Sequence, residues 1–438
     1  MTELFRIKDT LANKISYYHL MLFLLSLPFD RFYSHVILIS FAIHTLIHLD
    51  KKQIKPIFTL RTLVLQAVFF VTVISTIYTV NRPAAFKDWE LYIPIALFPI
   101  LFCLNPLDLK KYQPQLFLAF ALGCVAAIVY LYCEAFVTIV HYGLPLSTIL
   151  SHAFTNQNFS VPIDMHATFF SMQIIVALVY MLSLLIREWR TSNKIFYSTC
   201  FLILAAGVIQ LSSKSAVVAL FLVINIAFPY FLLKGIMRKR FIMIAASISI
   251  LLVAGIFNSH TFRARYLTEL KDDLSKSTIG ETTDSRLSRW EIAADLIKKA
   301  PLIGYGAGSE IELLREQYFA KKYYRSYINH LNAHNEYLSF MIKSGIWGLA
   351  VYLAILIYGF KKAMRKKDIV FFSFMMLLAV VSLSENILDV DKGVMFYGFF
   401  FTWFVFISEQ PDKLQIPIKR HKYLRKVATN HIVDSGRP

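Results

Sequence analysis

The 438-residue sequence predicts an all-α integral membrane fold with about twelve spanning helices, and three observations carry that prediction. Hydrophobic residues make up 57% of the chain and charged residues only 17%, whereas a soluble domain carries about 25% charged residues. A soluble chain of this size has too little interior to hide so much apolar surface. Next, the apolar residues gather into runs, and roughly 17–25 such residues cross a hydrocarbon core of about 30 Å as a helix. Finally, Lys and Arg are alternately dense and sparse between the runs, as when successive loops face opposite sides of a membrane.

The runs fall at 15–29, 33–49, 61–80, 90–104, 115–140, 167–186, 195–212, 215–234, 241–257, 336–360, 369–386 and 393–408. In lipid, backbone groups must be bonded within their own segment, so each run is expected to be a helix. The first run leads directly into the second rather than into a small-residue cleavage site, so no cleavable leader is expected. The fourth run is short, and the fifth is long enough to tilt. Cys103, Cys124, Cys133 and Cys200 all lie within runs, where they read as small packing residues rather than a disulfide framework.

With the N-terminus inside, the inner segments hold 28 Lys and Arg, while five short outer loops hold only Arg31, Arg82, Lys87, Lys214 and Lys392. The outer segment 141–166 has none. The long outer segment 258–335 holds 12, and loops of that length escape the rule. The expected arrangement is N-in and C-in. Residues 1–257 form helices 1–9, residues 258–335 an ordered helical outer loop, residues 336–408 helices 10–12, and residues 409–438 a basic inner tail. The formal charge of +18 is then topology signal and contact with anionic membrane lipids, not nucleic-acid binding, since no aromatic-rich basic module is present.

Within the outer loop, DSRLSRWEIAADLIKK at 284–299 places Leu287, Trp290, Ala294 and Ile297 at helical spacing. Asp284 or Ser285 can cap its start, and Pro301 ends it. GYGAGS at 304–309 reads as a tight turn, and a second helical stretch spans roughly 309–326.

Three stretches carry a resemblance: SRLSRW at 285–290, PLIGYGAG at 301–308 and HNEYLSFMIKSGIWGL at 334–349. They resemble the signature region of the O-antigen ligase and polymerase superfamily: Arg three residues before Trp, then P-L-x-G-x-G-x-G, then H-N-x-Y-L and G-x-x-G-L. The resemblance implies a lipid-carrier-type glycosyltransferase in the bacterial inner membrane, with its active site facing the periplasm. Its donor would be a glycan on undecaprenyl diphosphate. A ligase passes that glycan to a sugar hydroxyl of lipid A–core, a polymerase to another carrier-linked glycan, and a protein O-oligosaccharyltransferase to a protein. No cofactor is implied, and the inner loops contain no nucleotide-sugar or ATP motif.

Candidate residues follow from the chemistry. A leaving diphosphate gains negative charge, which positioned cations stabilise. Arg286 heads the candidates because its planar fork suits phosphate oxygens; the alternative is a solvated Arg paired with an acidic neighbour. Lys214, in SSKSA, occupies a position where the resemblance leads one to expect Arg; otherwise it is an interfacial lysine. Arg289 is a weaker alternative to Arg286. His334 is the expected general base at the outer mouth of the tenth helix, with Asn335 and Glu336 as capping residues. His330 can share its environment. Two histidines four apart suggest a metal only when carboxylate or histidine partners complete the set, so no metal site is expected. His166, near Asp164, can face the same cavity. Glu385, near Asp389 and Asp391, reads as an acceptor-binding or Arg-orienting carboxylate, since carboxylates so near a membrane are costly. Gly304, Gly306 and Gly308 read as turn formers, because no P-loop Lys-Ser/Thr follows them.

Two other classes remain. A flippase or secondary transporter also has many spans, but usually shows two similar halves, and here a large loop follows the ninth run. A scaffold protein of the envelope has no need of Arg286 and His334.

Overall fold

The computed structural model describes residues 6–49, 54–276 and 285–410, and all structural statements concern these residues. Asp284 and nearly all of the expected tail lie outside them. Among the described residues the chain is helical throughout, with no strand. In order, the main helices are α1 (Leu11–Ser26), α2 (Arg31–Ile47), α3 (Leu60–Leu65), α4 (Ala67–Ser75), α5 (Arg82–Leu104), α6 (Leu109–His141), α7 (Ala167–Arg187), α8 (Thr191–Leu211), α9 (Lys214–Leu222), α10 (Phe228–Leu232) and α11 (Gly235–Asn258). The segment 285–335 adds α12 (Arg286–Lys299) and α13 (Glu310–Ala320). The chain ends with α14 (Glu336–Lys366), α15 (Ile369–Val381) and α16 (Asp391–Glu409).

All twelve apolar runs fall on helix, but six helices are long and apolar enough to cross a membrane: α6, α7, α8, Lys214–Leu232, α11 and α14. Several runs are shortened or interrupted for local reasons. The run 61–80 breaks at Gln66, whose side-chain amide turns away to donate to the Ala96 carbonyl at 2.8 Å. In 215–234 the chain widens into a π segment at Val223–Ala227, just before Pro229, which has no N–H to donate. The run 369–386 is helical only to Val381, and residues 382–390 leave the helix to build part of the site.

Hydropathy does not distinguish the lipid face from the core. In α16 every residue from Lys392 to Ser408 is buried, with Phe399, Phe400, Trp403 and Phe404 stacked against Phe102, Phe117 and Phe371. The equally apolar α11 buries only Ala245 and turns its remaining surface outward. An all-round apolar helix suits either environment.

The loops sort to two ends. At one end, Arg61 meets Glu409, Lys110 donates to the Gln410 carbonyl and Tyr112 donates to Asp9. At the other, the Tyr78 hydroxyl donates to the Ile303 carbonyl, Arg265 reaches the Ser212 carbonyl and Lys392 donates to the Phe29 carbonyl. The segment 285–335 folds over this second end around its own small core of Ile292, Leu296, Leu314 and Tyr318. Ser285 caps α12 as expected. Its buried stripe differs from the expected one: Ser288, Arg289, Ile292, Ala293 and Leu296 face inward, while Leu287, Trp290, Ala294 and Ile297 sit half-buried at the margin. Trp290 lies there because its indole N–H donates to the Ala333 carbonyl.

The glycine-rich stretch is a clasp. Expected as one continuous helix, 336–360 breaks at Gly345 (φ 60°, ψ −157°). The break exposes backbone groups that pair with the turn: Tyr305 N–H donates to Ile342 C=O and Ile346 N–H to Pro301 C=O. A Cβ on Gly345 would lie 2.3 Å from the Leu302 carbonyl oxygen, and one on Gly304 2.4 Å from that of Ile342. Both positions also have positive φ, so glycine is required on steric and conformational grounds.

Candidate functional site

At the end of the bundle covered by 285–335, residues far apart in sequence meet. Ser212 adopts a left-handed conformation that ends α8, and Ser213 turns the chain so that Lys214 begins α9. Ser285 caps α12 and places Arg286 first in it. His334, also left-handed, is held by its N–H donating to Asn332 Oδ1. Asn335 follows as the cap of α14 and locks to the 382–390 segment, its N–H donating to Asn386 Oδ1 at 2.7 Å and its amide to the Leu383 carbonyl.

Two carboxylates connect the three expected residues. Glu385 lies between Arg286 and His334, with Arg286 Nη2 at 3.4 Å from Oε1 and His334 Nδ1 at 3.0 Å from Oε2. Arg286 Nη1 also donates to the Ser384 carbonyl at 2.7 Å. Asp273 lies between Arg286 and Lys214, with Nε and Nζ at 3.7 and 3.2 Å. Lys214 also faces Glu269, which Arg265 holds in turn. Burial alone pushes the Glu385 carboxyl up; the hydrogen bond from His334 and the charges of His334, Arg286 and His166 overcome this and hold it at about 2.

The remaining candidates divide. His166 caps α7, accepting from Thr168 N–H, and lies within electrostatic reach of Glu385, His334, Arg286 and Arg265, without a hydrogen bond or ion pair to them among the described residues. Arg289 is buried behind Arg286, where burial pushes its pKa down and Tyr318 opposes the shift. His330 is exposed at the turn after the short helix Tyr324–Ile328, and no hydrogen bond or ion pair among the described residues ties it to the group. Asp389 and Asp391 serve elsewhere: Asp389 pairs with Lys343 at 2.5 Å, and Asp391 with His35 at 3.1 Å. Gly304, Gly306 and Gly308 pack against Ile342, Thr79 and Ala84–Ala85 as part of the clasp. Among the described residues no three His, Cys, Asp or Glu side chains come together as a metal-ligand set.

Sequence reasoning missed two groups. Arg265, Glu269 and Asp273 lie four residues apart on one helical face, a signal the sequence does contain. The second is a buried support beneath the site. Glu310 accepts from Ala333 N–H, Ser339 and Asn386, and Lys343 approaches it at 3.6 Å. Burial pushes the Glu310 carboxyl up. This network binds the segment 285–335, α14 and residues 382–390 together, and so fixes the residues on either side of Glu385 and His334.

The chain matches the O-antigen ligase family over residues 199–353. An uncharacterized protein of Haemophilus influenzae is 26% identical over 132 residues, covering 29% of this chain and 33% of that protein. The chain thus spans about a third of the length of that relative. The family match contains Lys214, Arg265, Arg286 and His334, while His166 and Glu385 lie outside it. Over residues 199–353 the chain is thus similar to the O-antigen ligase family.

Proposed function

We propose that this protein transfers a glycan from undecaprenyl diphosphate to a sugar hydroxyl of lipid A–core, at the periplasmic face of the bacterial inner membrane. The family supports ligase-type or related polymerase activity in a multi-pass membrane protein. The orientation rests on the charge asymmetry of the loops. The observation that carries the reading is the chain of contacts Lys214–Asp273–Arg286–Glu385–His334 at one end of the bundle.

In this reading, the Glu385 carboxylate accepts from His334 Nδ1–H and leaves Nε2 as the basic lone pair. The acceptor hydroxyl gives its proton to Nε2 while its oxygen attacks the anomeric carbon. The bond between that carbon and the diphosphate oxygen breaks, and its electron pair leaves with the diphosphate. Arg286 and Lys214 meet the growing charge. In the unliganded protein Asp273 lies between these two cations, so the diphosphate competes with a carboxylate for them. The cations take the part of a divalent ion, and transfer proceeds without metal or cofactor.

The lipopolysaccharide of a deletion strain tests the reading. A ligase leaves full-length glycan chains unattached on their carrier. Single-repeat caps on lipid A–core would instead assign a polymerase, and unchanged lipopolysaccharide would overturn both.

A further inference from the structure

Beside the charged group lies a concavity of about 340 Å³. Its walls come from the turn between α1 and α2 (Phe29, Asp30), from Tyr33 in the first turn of α2, from Tyr130 on α6 and from the turn ending at Asp164. Small-ligand clefts run from about 300 to 1,000 Å³, so this one suits a compact ligand. It adjoins the site through the strap 161–166: Asp164 lines the cleft, Met165 is buried, and the exposed His166 is within electrostatic reach of Glu385 and His334.

The lining has a definite chemistry. Asp30 uses Oδ1 to cap α2, accepting from Phe32 N–H at 2.7 Å, and no hydrogen bond among the described residues engages its second oxygen. Asp164 stands in a left-handed conformation and makes no side-chain hydrogen bond or ion pair among the described residues. Lys392 is near enough for both carboxylates to act on it, but its ammonium donates to the Phe29 carbonyl. Tyr33 and Tyr130 are both exposed. Among the described residues no cation lines the cleft, which disfavours a phosphate, and two carboxylates disfavour a hydrocarbon tail. A sugar matches the lining. Its hydroxyls donate to the carboxylates and its C–H face lies on the tyrosine rings, each polar group finding a partner.

We infer that this cleft binds an uncharged saccharide unit of one of the transferase substrates, so that diphosphate and sugar are held on opposite sides of the strap 161–166. The inference rests on the transferase reading for its biological sense, but not for its test. Full-length protein in phosphatidylglycerol nanodiscs, free of sugar-headed detergent, is examined by saturation-transfer NMR with glucose, galactose and N-acetylglucosamine. The variants are Asp30→Asn and Asp164→Asn, separately and together. Asn still caps a helix and tolerates a left-handed backbone, so the fold is kept. Wild type should give saturation transfer from at least one of the three sugars, and the double variant should lose it. In transfer assays the KM for one substrate should rise roughly tenfold or more, as expected for lost hydrogen bonds to charged groups. A rise confined to the acceptor assigns the cleft to the acceptor, and one confined to the donor assigns it to the donor glycan. Equal saturation transfer in wild type and double variant, or none in either, overturns the inference, as does displacement of the sugars by phosphatidylethanolamine. A protein that binds the sugars but transfers no glycan defeats the transferase reading and leaves the cleft standing.

Discussion

Replacing Glu385 by Gln removes the charge between Arg286 and His334 while keeping the side chain's shape. The native carboxyl is held at about 2, against 4.5 ordinarily. That gap of about 2.5 pH corresponds to roughly 3 kcal/mol of native-state stabilisation, at 1.36 kcal/mol per unit. The pKa is depressed on folding, so the stabilisation is complete above pH 4.5 and vanishes as the pH falls through about 2. Glu385→Gln should therefore unfold more readily than wild type at neutral pH, with less than half of the difference remaining at pH 3. Turnover should fall by about 10²-fold or more, because a neutral amide no longer stabilises the imidazolium that forms when Nε2 takes the proton, and its NH₂ can also favour the wrong tautomer. Donor binding should largely persist, since Arg286 keeps the Ser384 carbonyl and Asp273. Unfolding in nanodiscs at pH 7 and pH 3, with single-turnover transfer and donor binding at pH 7, measures all three. Turnover near that of wild type, or a stability difference independent of pH, would refute the role given to this carboxylate.

Three further outcomes are expected. His334→Ala should lose about 10²–10⁴ in turnover with donor binding intact, whereas Arg286→Ala should weaken both, because leaving-group charge grows in the transition state; parallel binding and turnover assays separate them. Lys214→Arg should retain transfer, since a longer cation still reaches Asp273 and gains a fork for phosphate, whereas Lys214→Ala should not; loss in both variants would argue that Lys214 serves packing rather than charge. A single cysteine at position 276 of a cysteine-free variant should react with an impermeant thiol reagent in spheroplasts, and labelling only after the membrane is opened would invert the orientation.

The residues that carry charge at helix ends were legible in the sequence, because a membrane leaves few reasons to keep Lys214, Arg286, His334 and Glu385 there. That Lys214, Arg286 and His334 meet at one end of the bundle was legible too, since all three fall in segments on the same expected face; the carboxylate linkage that joins them was not. It depends on Asp273, which lies in a charge-rich segment without apolar periodicity, and on residues 382–390 leaving the helix just after an apolar run. The break at Gly345 was hidden for a similar reason. Hydropathy continues across it, and only the carbonyl of Leu302 on a distant turn requires the kink. Burial was hidden as well, since α11 and α16 are both apolar all round yet lie at opposite extremes of exposure.

The most direct test is transfer by the purified protein in nanodiscs, supplied with undecaprenyl-diphosphate-linked glycan and lipid A–core in the presence of EDTA. The account predicts glycan on the core with release of undecaprenyl diphosphate, undiminished by chelation and abolished in His334→Ala. Activity that requires added Mg²⁺ or Mn²⁺, or that survives in folded His334→Ala, would contradict it.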